Sequence, residues 1–172
     1  MNYNRISVYS HCDFDEKMYR LGLDSDNVGE EDDKAFISIV GTPECQKYYL
    51  EEEEKHWFNG KSENVLNLEF DDITKETIEY KGHIFKGITE GQAEQIARFI
   101  DKHKGKNFYC HCRAGLSRSC AVGLAICDLL GDEYGYDRKA SFVKGNSPRT
   151  PNIFVLSAIK RAFYKLKGME IE

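Results

Sequence analysis

The stretch NFYCHCRAGLSRSCAVGLAICDLLG, residues 107–131, limits the folds open to this chain more than any other. It begins as a short β-rich run and passes through a loop holding Gly115. It continues as twelve residues, SCAVGLAICDLL at 119–130, that lack a polar stripe and are stopped by Gly131. A helix apolar nearly all round must be covered on several sides, and a strand feeding such a helix belongs most simply to a parallel sheet. Other runs keep the same rhythm: RISVY (5–9), AFISIV (35–40) and VLNLEF (65–70) read as strands. PECQKYYLEEEEKHWF, from Pro43 to Asn59-Gly60, reads as a helix whose glutamate run is a solvated face. Thr89 opens a helix with Gln92 in capping-box position, Ile88 and Ala93 as a hydrophobic staple, and Ile96, Phe99 and Ile100 on its buried face. LGLDSDNVGEEDDK (21–34) reads as a mobile acidic loop, and the segment from Asp71 towards Thr89 as a polar one. A short helix near 138–143, a SPRTPN turn at 147–152 and a last helix ending near Leu166 complete the pattern. Strand and helix in alternation predict an α/β fold with a central, mostly parallel sheet flanked by helices, and 172 residues with 41% hydrophobic side chains suit one domain over 1–172.

Charge and cysteine usage narrow what such a domain can meet. A net charge of −5 disfavours nucleic acid or an anionic membrane as the main partner. The charges are unevenly spread: residues 1–100 hold 11 basic against 22 acidic side chains, and residues 101–172 hold 13 basic against 7 acidic. The basic part contains the strand–loop–helix stretch. The start, MNYNRISVYSH, lacks the basic, apolar, small-residue order of a leader, and CAVGLAICDLLG falls short of the ~18–20 residues that cross a bilayer. A cytoplasmic protein is therefore expected, with all six cysteines reduced.

Three chemistries compete for YCHCRAGLSRS at 109–119. A zinc site pairs cysteines across a tight turn and needs a second ligand pair. CHC on an extended strand instead points Cys110 and Cys112 to one face and His111 to the other, and a Cys110–Cys112 disulfide would be strained. The third reading uses every residue. Five residues separate Cys112 from Arg118 where a strand ends and a helix begins, so successive N–H groups can curl around one anion and favour a thiolate on Cys112. Arg118 supplies a planar fork for two phosphoryl oxygens, a geometry lysine cannot copy.

Those residues carry a resemblance. HCRAGLSRS at 111–119 resembles the H-C-x5-R-[ST] signature of cysteine-dependent protein phosphatases, and its AGLSRS ending is closest to the small dual-specificity branch. The resemblance covers about residues 65–160 and extends to the PRTPN turn before the last helix; residues 1–64 match only in strand and helix pattern. It implies a phosphatase-type domain that hydrolyses phosphotyrosine, and phosphoserine or phosphothreonine as well, on protein substrates through a phosphocysteine, with neither metal nor organic cofactor. Cys112 is then the nucleophile, Arg118 holds the phosphoryl group and Ser119 eases loss of the thiolate. His111 orients the loop, and Arg113, Ala114, Gly115, Leu116 and Ser117 complete the phosphate cradle. Arg113 points either to the mouth or to solvent.

The leaving oxygen needs a proton from a carboxylic acid on another loop. The resemblance puts Asp72 first and Asp71 second, after the strand VLNLEF. Asp72 stands 40 residues before Cys112, a longer interval than is usual in the family, so the segment through YKGHIFKG reads as inserted. Cys12, Cys45, Cys120 and Cys127 read as small apolar fillers, Cys110 or Cys120 as candidates for a protective disulfide with Cys112, and His11, His56, His83 and His103 as lacking ligand spacing. Tyr134, Tyr136 and Trp57 read as packing or surface residues. A catalytically silent phosphopeptide-binding module, keeping the cradle without turnover, is the rival from another class; a sulfur or arsenate handler with the same C-x5-R loop is a lesser one.

Overall fold

The computed structural model describes residues 6–49, 52–134, 143–144, 147–148 and 150–169. In chain order the elements are β1 (Ile6–Tyr9), α1 (His11–Leu21), β2 (Lys34–Val40), α2 (Pro43–Tyr49), β3 (Val65–Glu69), β4 (Thr77–Tyr80), β5 (His83–Lys86), α3 (Glu90–Lys102), β6 (Asn107–His111), α4 (Arg118–Leu130), β7 (Val143–Lys144), β8 (Ser147–Pro148) and α5 (Ile153–Leu166). β1, β6, β2 and β3 form a sheet in that order, and every pairing in it is parallel. The α/β architecture expected from the alternation is the one observed. No described helix is long and apolar enough to cross a membrane.

Alternation along the two central strands builds two cores. Ala35, Ile37, Ile39, Phe108 and Cys110 face α3, α4 and α5, in a cluster with Ile96, Ile100, Ile126 and Ile159. Phe36 faces the other way, into a cluster with Phe14 and Met18 of α1, Phe58 and Val65, against which Tyr109 packs. α4 is buried almost throughout, as its unstriped composition demands. On the α1 face the apolar pattern breaks at one pair, Ser38 of β2 and His111 of β6, which lie opposite each other in the parallel register.

Several local expectations are met. Thr89 caps α3 through a complete capping box with Gln92, Gly131 follows α4, and Gly105, at φ 91°, turns the chain into β6. Tyr134 is a packing residue: its hydroxyl accepts from Gly105 N–H at 2.7 Å and donates to Lys106 C=O at 3.0 Å. Trp57 packs against the α1-face core and donates Nε1–H to Leu23 C=O at 2.8 Å.

Other expectations are corrected. α1 was not foreseen, although Ser10 caps its start, Gly22 at φ 67° closes its end, and Phe14 and Met18 stand one turn apart on its buried side. The segment 21–34 is pinned rather than mobile. Leu23 and Val28 are buried, and the Asn64 amide donates to the carbonyls of Val28, Glu31 and Lys34. α2 ends at Tyr49, and residues 52–58 are not helical; like charges one turn apart in EEEE oppose a helix, while Phe58 gains burial by leaving it. The segment read as a polar insertion is the antiparallel hairpin β4–β5, whose turn residues Lys81 and Gly82 both have positive φ, as a two-residue type I′ turn requires. Of the helix expected near 138–143, residues 138–142 lie outside the described residues, and Val143 pairs with Pro148. Tyr136 lies outside them too.

Asn64→Ala would leave one buried and two part-buried carbonyls without this donor, and it is expected to cost about 2 kcal/mol and expose the 23–33 segment to proteolysis. Urea unfolding together with limited digestion of the variant checks this.

Candidate active site

The sheet's carboxyl edge carries the loop from Cys112 to Ser117, between β6 and α4. Gly115 is essential to its seating. It has φ 68°, and a Cβ there would lie 2.6 Å from Tyr9 C and Ser10 N. The loop therefore rests on the end of β1 only where no side chain intervenes. His11 N–H donates to Arg113 C=O at 2.9 Å, and Thr150 and Asn152 N–H donate to the carbonyls of Leu116 and Ser117. With those carbonyls engaged outward, the loop's donors are left over. Among the described residues, none of the N–H groups of residues 113–117 donates to a protein acceptor.

Within this loop Cys112 Sγ lies 3.1 Å from Ser119 Oγ, and both residues are buried. Arg118, 7% exposed, is aimed by a 2.8 Å bond from Nη1 to Phe70 C=O, while its buried Nε has no partner among the described residues. A guanidinium with one edge anchored and a donor to spare suits a multivalent oxyanion. Ala114 is exposed and Leu116 half-buried at the rim. Arg113, its side chain 52% exposed, stands 3.9 Å from Glu54 Oε1 at the mouth.

The two aspartates part company here. Asp71 is 1% exposed, and its carboxylate is fully engaged: Oδ1 accepts from Thr42 N–H, and Oδ2 from the Thr42 hydroxyl and Lys86 N–H, each at 2.8 Å. It ties the hairpin to the β2–α2 turn. Asp72 instead faces the loop, where its Oδ1 accepts from Ser117 Oγ and Asn152 Nδ2, each at 2.7 Å. Its Oδ2 has no partner among the described residues and is the oxygen available to exchange a proton. Asn152 is a site residue that the sequence reading passed over. Its Oδ1 caps α5 by accepting from Val155 N–H, while its amide also reaches Ile73 C=O at 3.1 Å. The signal was Pro-Asn before an apolar run, read only as a turn.

Cys112, Arg118, Asp71 and Asp72 all line one cavity of about 550 Å3, walled on its far side by Cys45 and Tyr49 of α2, Ile73 and Phe85. A second cavity of about 470 Å3, between α3 and α5, has neither cysteine nor histidine in its lining. Cys45 was expected to be filler; it lines the first cavity, and burial, then the charge of Asp71, push its thiol up to about 11. Glu54, expected on a solvated face, lines it too, and Cys12 is exposed rather than packed. Cys110 and Cys120 are both buried; burial raises the Cys110 thiol strongly, and Cys120 Sγ donates to Gly115 C=O at 3.3 Å.

Beneath the loop, His111 is wholly buried. Its Nε2 meets Ser38 Oγ at 2.6 Å and its Nδ1 meets Cys112 C=O at 3.4 Å. Burial, and then the neighbouring His11, hold it down from the ordinary 6.5 to about 3. His11 and His56, set aside on spacing alone, both belong to this neighbourhood: the His11 ring lies 5.4 Å from that of His111, and His56 Nδ1 lies 2.6 Å from Ser38 Oγ. Among the described residues no group of three or more His, Cys, Asp or Glu is disposed to hold a metal ion. No protein-family model and no curated protein matches this chain.

Two outcomes follow from this geometry. Asp71→Ala strands three donors and is expected to cost about 2–3 kcal/mol, whereas Asp72→Asn, which keeps an acceptor for Ser117, is expected to change stability by under about 1 kcal/mol; urea titrations compare them. The depressed His111 value means that below pH 6.5 the unfolded chain takes up a proton that the folded chain refuses. Stability present above pH 6.5 is thus lost towards pH 3, at up to about 1.4 kcal/mol per pH unit, and His111→Asn should flatten that part of the stability–pH curve.

Proposed function

We propose that this chain is a cysteine-dependent protein phosphatase, acting on phosphotyrosine and on phosphoserine or phosphothreonine. One observation carries the reading: a buried cysteine with a serine hydroxyl against its sulfur, an anchored arginine with a spare buried donor, and a carboxylate with one free oxygen meet at the sheet's carboxyl edge, where the cysteine, the arginine and the carboxylate line one cavity. The H-C-x5-R-S arrangement that resembles that family thus supplies its parts within reach of one another.

In this reading the phosphoryl group of the substrate sits on the N–H groups of residues 113–117 and on Arg118. Cys112 Sγ attacks phosphorus in line with the departing oxygen. The S–P bond forms as the P–O bond breaks, and Asp72 gives its proton to the leaving phenolate or alkoxide. A water then attacks the phosphocysteine, Asp72 takes its proton, and the thiolate departs with a hydrogen bond from Ser119. Asp71 has no part in proton transfer, because its oxygens are occupied in holding the fold. Arg118 stabilises charge spread over the equatorial oxygens, where a bidentate fork is worth most.

Hydrolysis of p-nitrophenyl phosphate and of a phosphotyrosine peptide tests the reading. Cys112→Ser should abolish turnover while retaining anion binding, and Arg118→Lys should lose on the order of 3 kcal/mol of transition-state stabilisation. Asp72→Asn should lose far more rate on phenyl phosphate than on an activated aryl phosphate, and Asp71→Asn should not show that split. Activity should persist with chelator present. Phosphopeptide binding by wild type without any turnover would establish the silent binding module instead.

A further inference from the structure

We propose that His56 and Ser38 are positioning residues for Cys112, the outer links of a one-way hydrogen-bond chain that ends on the nucleophile's own carbonyl; the proposal rests on the reading of Cys112 as nucleophile. Ser38 is the single polar residue in the buried run of β2 from Ala35 to Val40, and it lies opposite His111 in the parallel register. A hydroxyl buried there is tolerable only with partners, and it has two, His56 Nδ1 and His111 Nε2, each at 2.6 Å.

The direction of the chain follows from counting protons. The carbonyl of Cys112 can only accept, so His111 Nδ1 carries the hydrogen that faces it. His111 is wholly buried and held neutral, which leaves Nε2 as an acceptor, so the Ser38 hydroxyl must donate to it. The Ser38 oxygen is then free to accept, and His56 must present Nδ1–H. His56 N–H to Ser38 O–H to His111 N–H to Cys112 C=O is a row of dipoles aligned head to tail, with its positive end at Cys112. Such a row favours negative charge on that residue and fixes the carbonyl from which the loop departs.

The ionisable groups facing this row are His11 and Asp15 of α1, which approach each other at 3.4 Å, Glu54 on the segment of His56, and Arg113 and Arg118 of the loop. None of them replaces the His56 donor at Ser38. The early end of α2 also acquires a use: residues 52–58 leave the helical path and bring His56 over the sheet.

The test reads the thiolate and not the reaction. The rate of Cys112 carbamidomethylation by iodoacetamide is followed against pH by peptide mass spectrometry, so that the exposed Cys12 does not interfere. His56→Leu and Ser38→Ala should move the midpoint up by about one pH unit, the worth of a net hydrogen bond. His56→Asn, whose amide N–H can stand in for Nδ1–H, should stay within about 0.3 unit of wild type. An unchanged midpoint in folded His56→Leu overturns the proposal, and so do equal shifts in the Leu and Asn variants, which would mark a packing effect. Should Ser38→Ala not fold, the His56 pair decides. A shifted midpoint in a protein without phosphatase activity would support the chain while refuting the proposed function.

Discussion

The approach of Gly115 to the end of β1 is the contact on which the site depends. With φ 68° and no room for a Cβ beside Tyr9 and Ser10, this glycine lets the loop after β6 lie flat on the sheet's edge. That seating places Cys112 and Ser119 3.1 Å apart across the loop and starts α4 at Arg118. The outer carbonyls of the loop are held by residues 150 and 152, so its shape is set from two sides. The apolar helix α4, buried on nearly every face, then anchors the loop to the core, because sliding the helix would expose much of that surface.

The second constraint is division of labour between neighbouring carboxylates. Asp71 and Asp72 are adjacent in sequence, but the chain turns after β3 and sends them into different surroundings. Asp71 closes a knot of two backbone N–H donors and one hydroxyl between Thr42 and Lys86 and is spent on architecture. Asp72 receives two donors on one oxygen and keeps the other. Asn152 couples three structures at once: the cap of α5, the segment at Asp72 and Ile73, and the loop through its backbone. The cavity that results has an aromatic and aliphatic wall of Tyr49, Phe85 and Ile73 facing the cysteine loop, and an Arg113–Glu54 pair at its mouth.

Much of this was legible in the chain, and where it was not, the reason is physical. The strands 35–40, 65–70 and 107–111, the capping box at Thr89 and Gln92, and the unstriped helix ended by Gly131 are local signals, each set by side-chain period or by backbone donors within a few residues. The hairpin at Lys81-Gly82 was also local, but its strands are short and mostly exposed, so the hydrophobic pattern was faint. The helix expected through residues 43–58 failed because the burial of Phe58 against α1, a distant partner, outweighs local propensity. Val28 and Leu23 hid within an acidic run whose composition spoke of solvent.

By itself the sequence determined the class of fold and the loop that holds Cys112 and Arg118, since a cysteine, a glycine and an arginine at fixed spacing between strand and helix form a contiguous motif. It left Asp71 and Asp72 nearly equal, because two successive residues differ only in where the chain turns. It gave His11 and His56 no role, because nothing in their spacing says that β2 will lie beside β6. Only the tertiary structure decided those matters. The parallel register sets Ser38 against His111, and the segment after α2 lays His56 on the same hydroxyl, joining residues 18 and 73 positions apart through one oxygen atom.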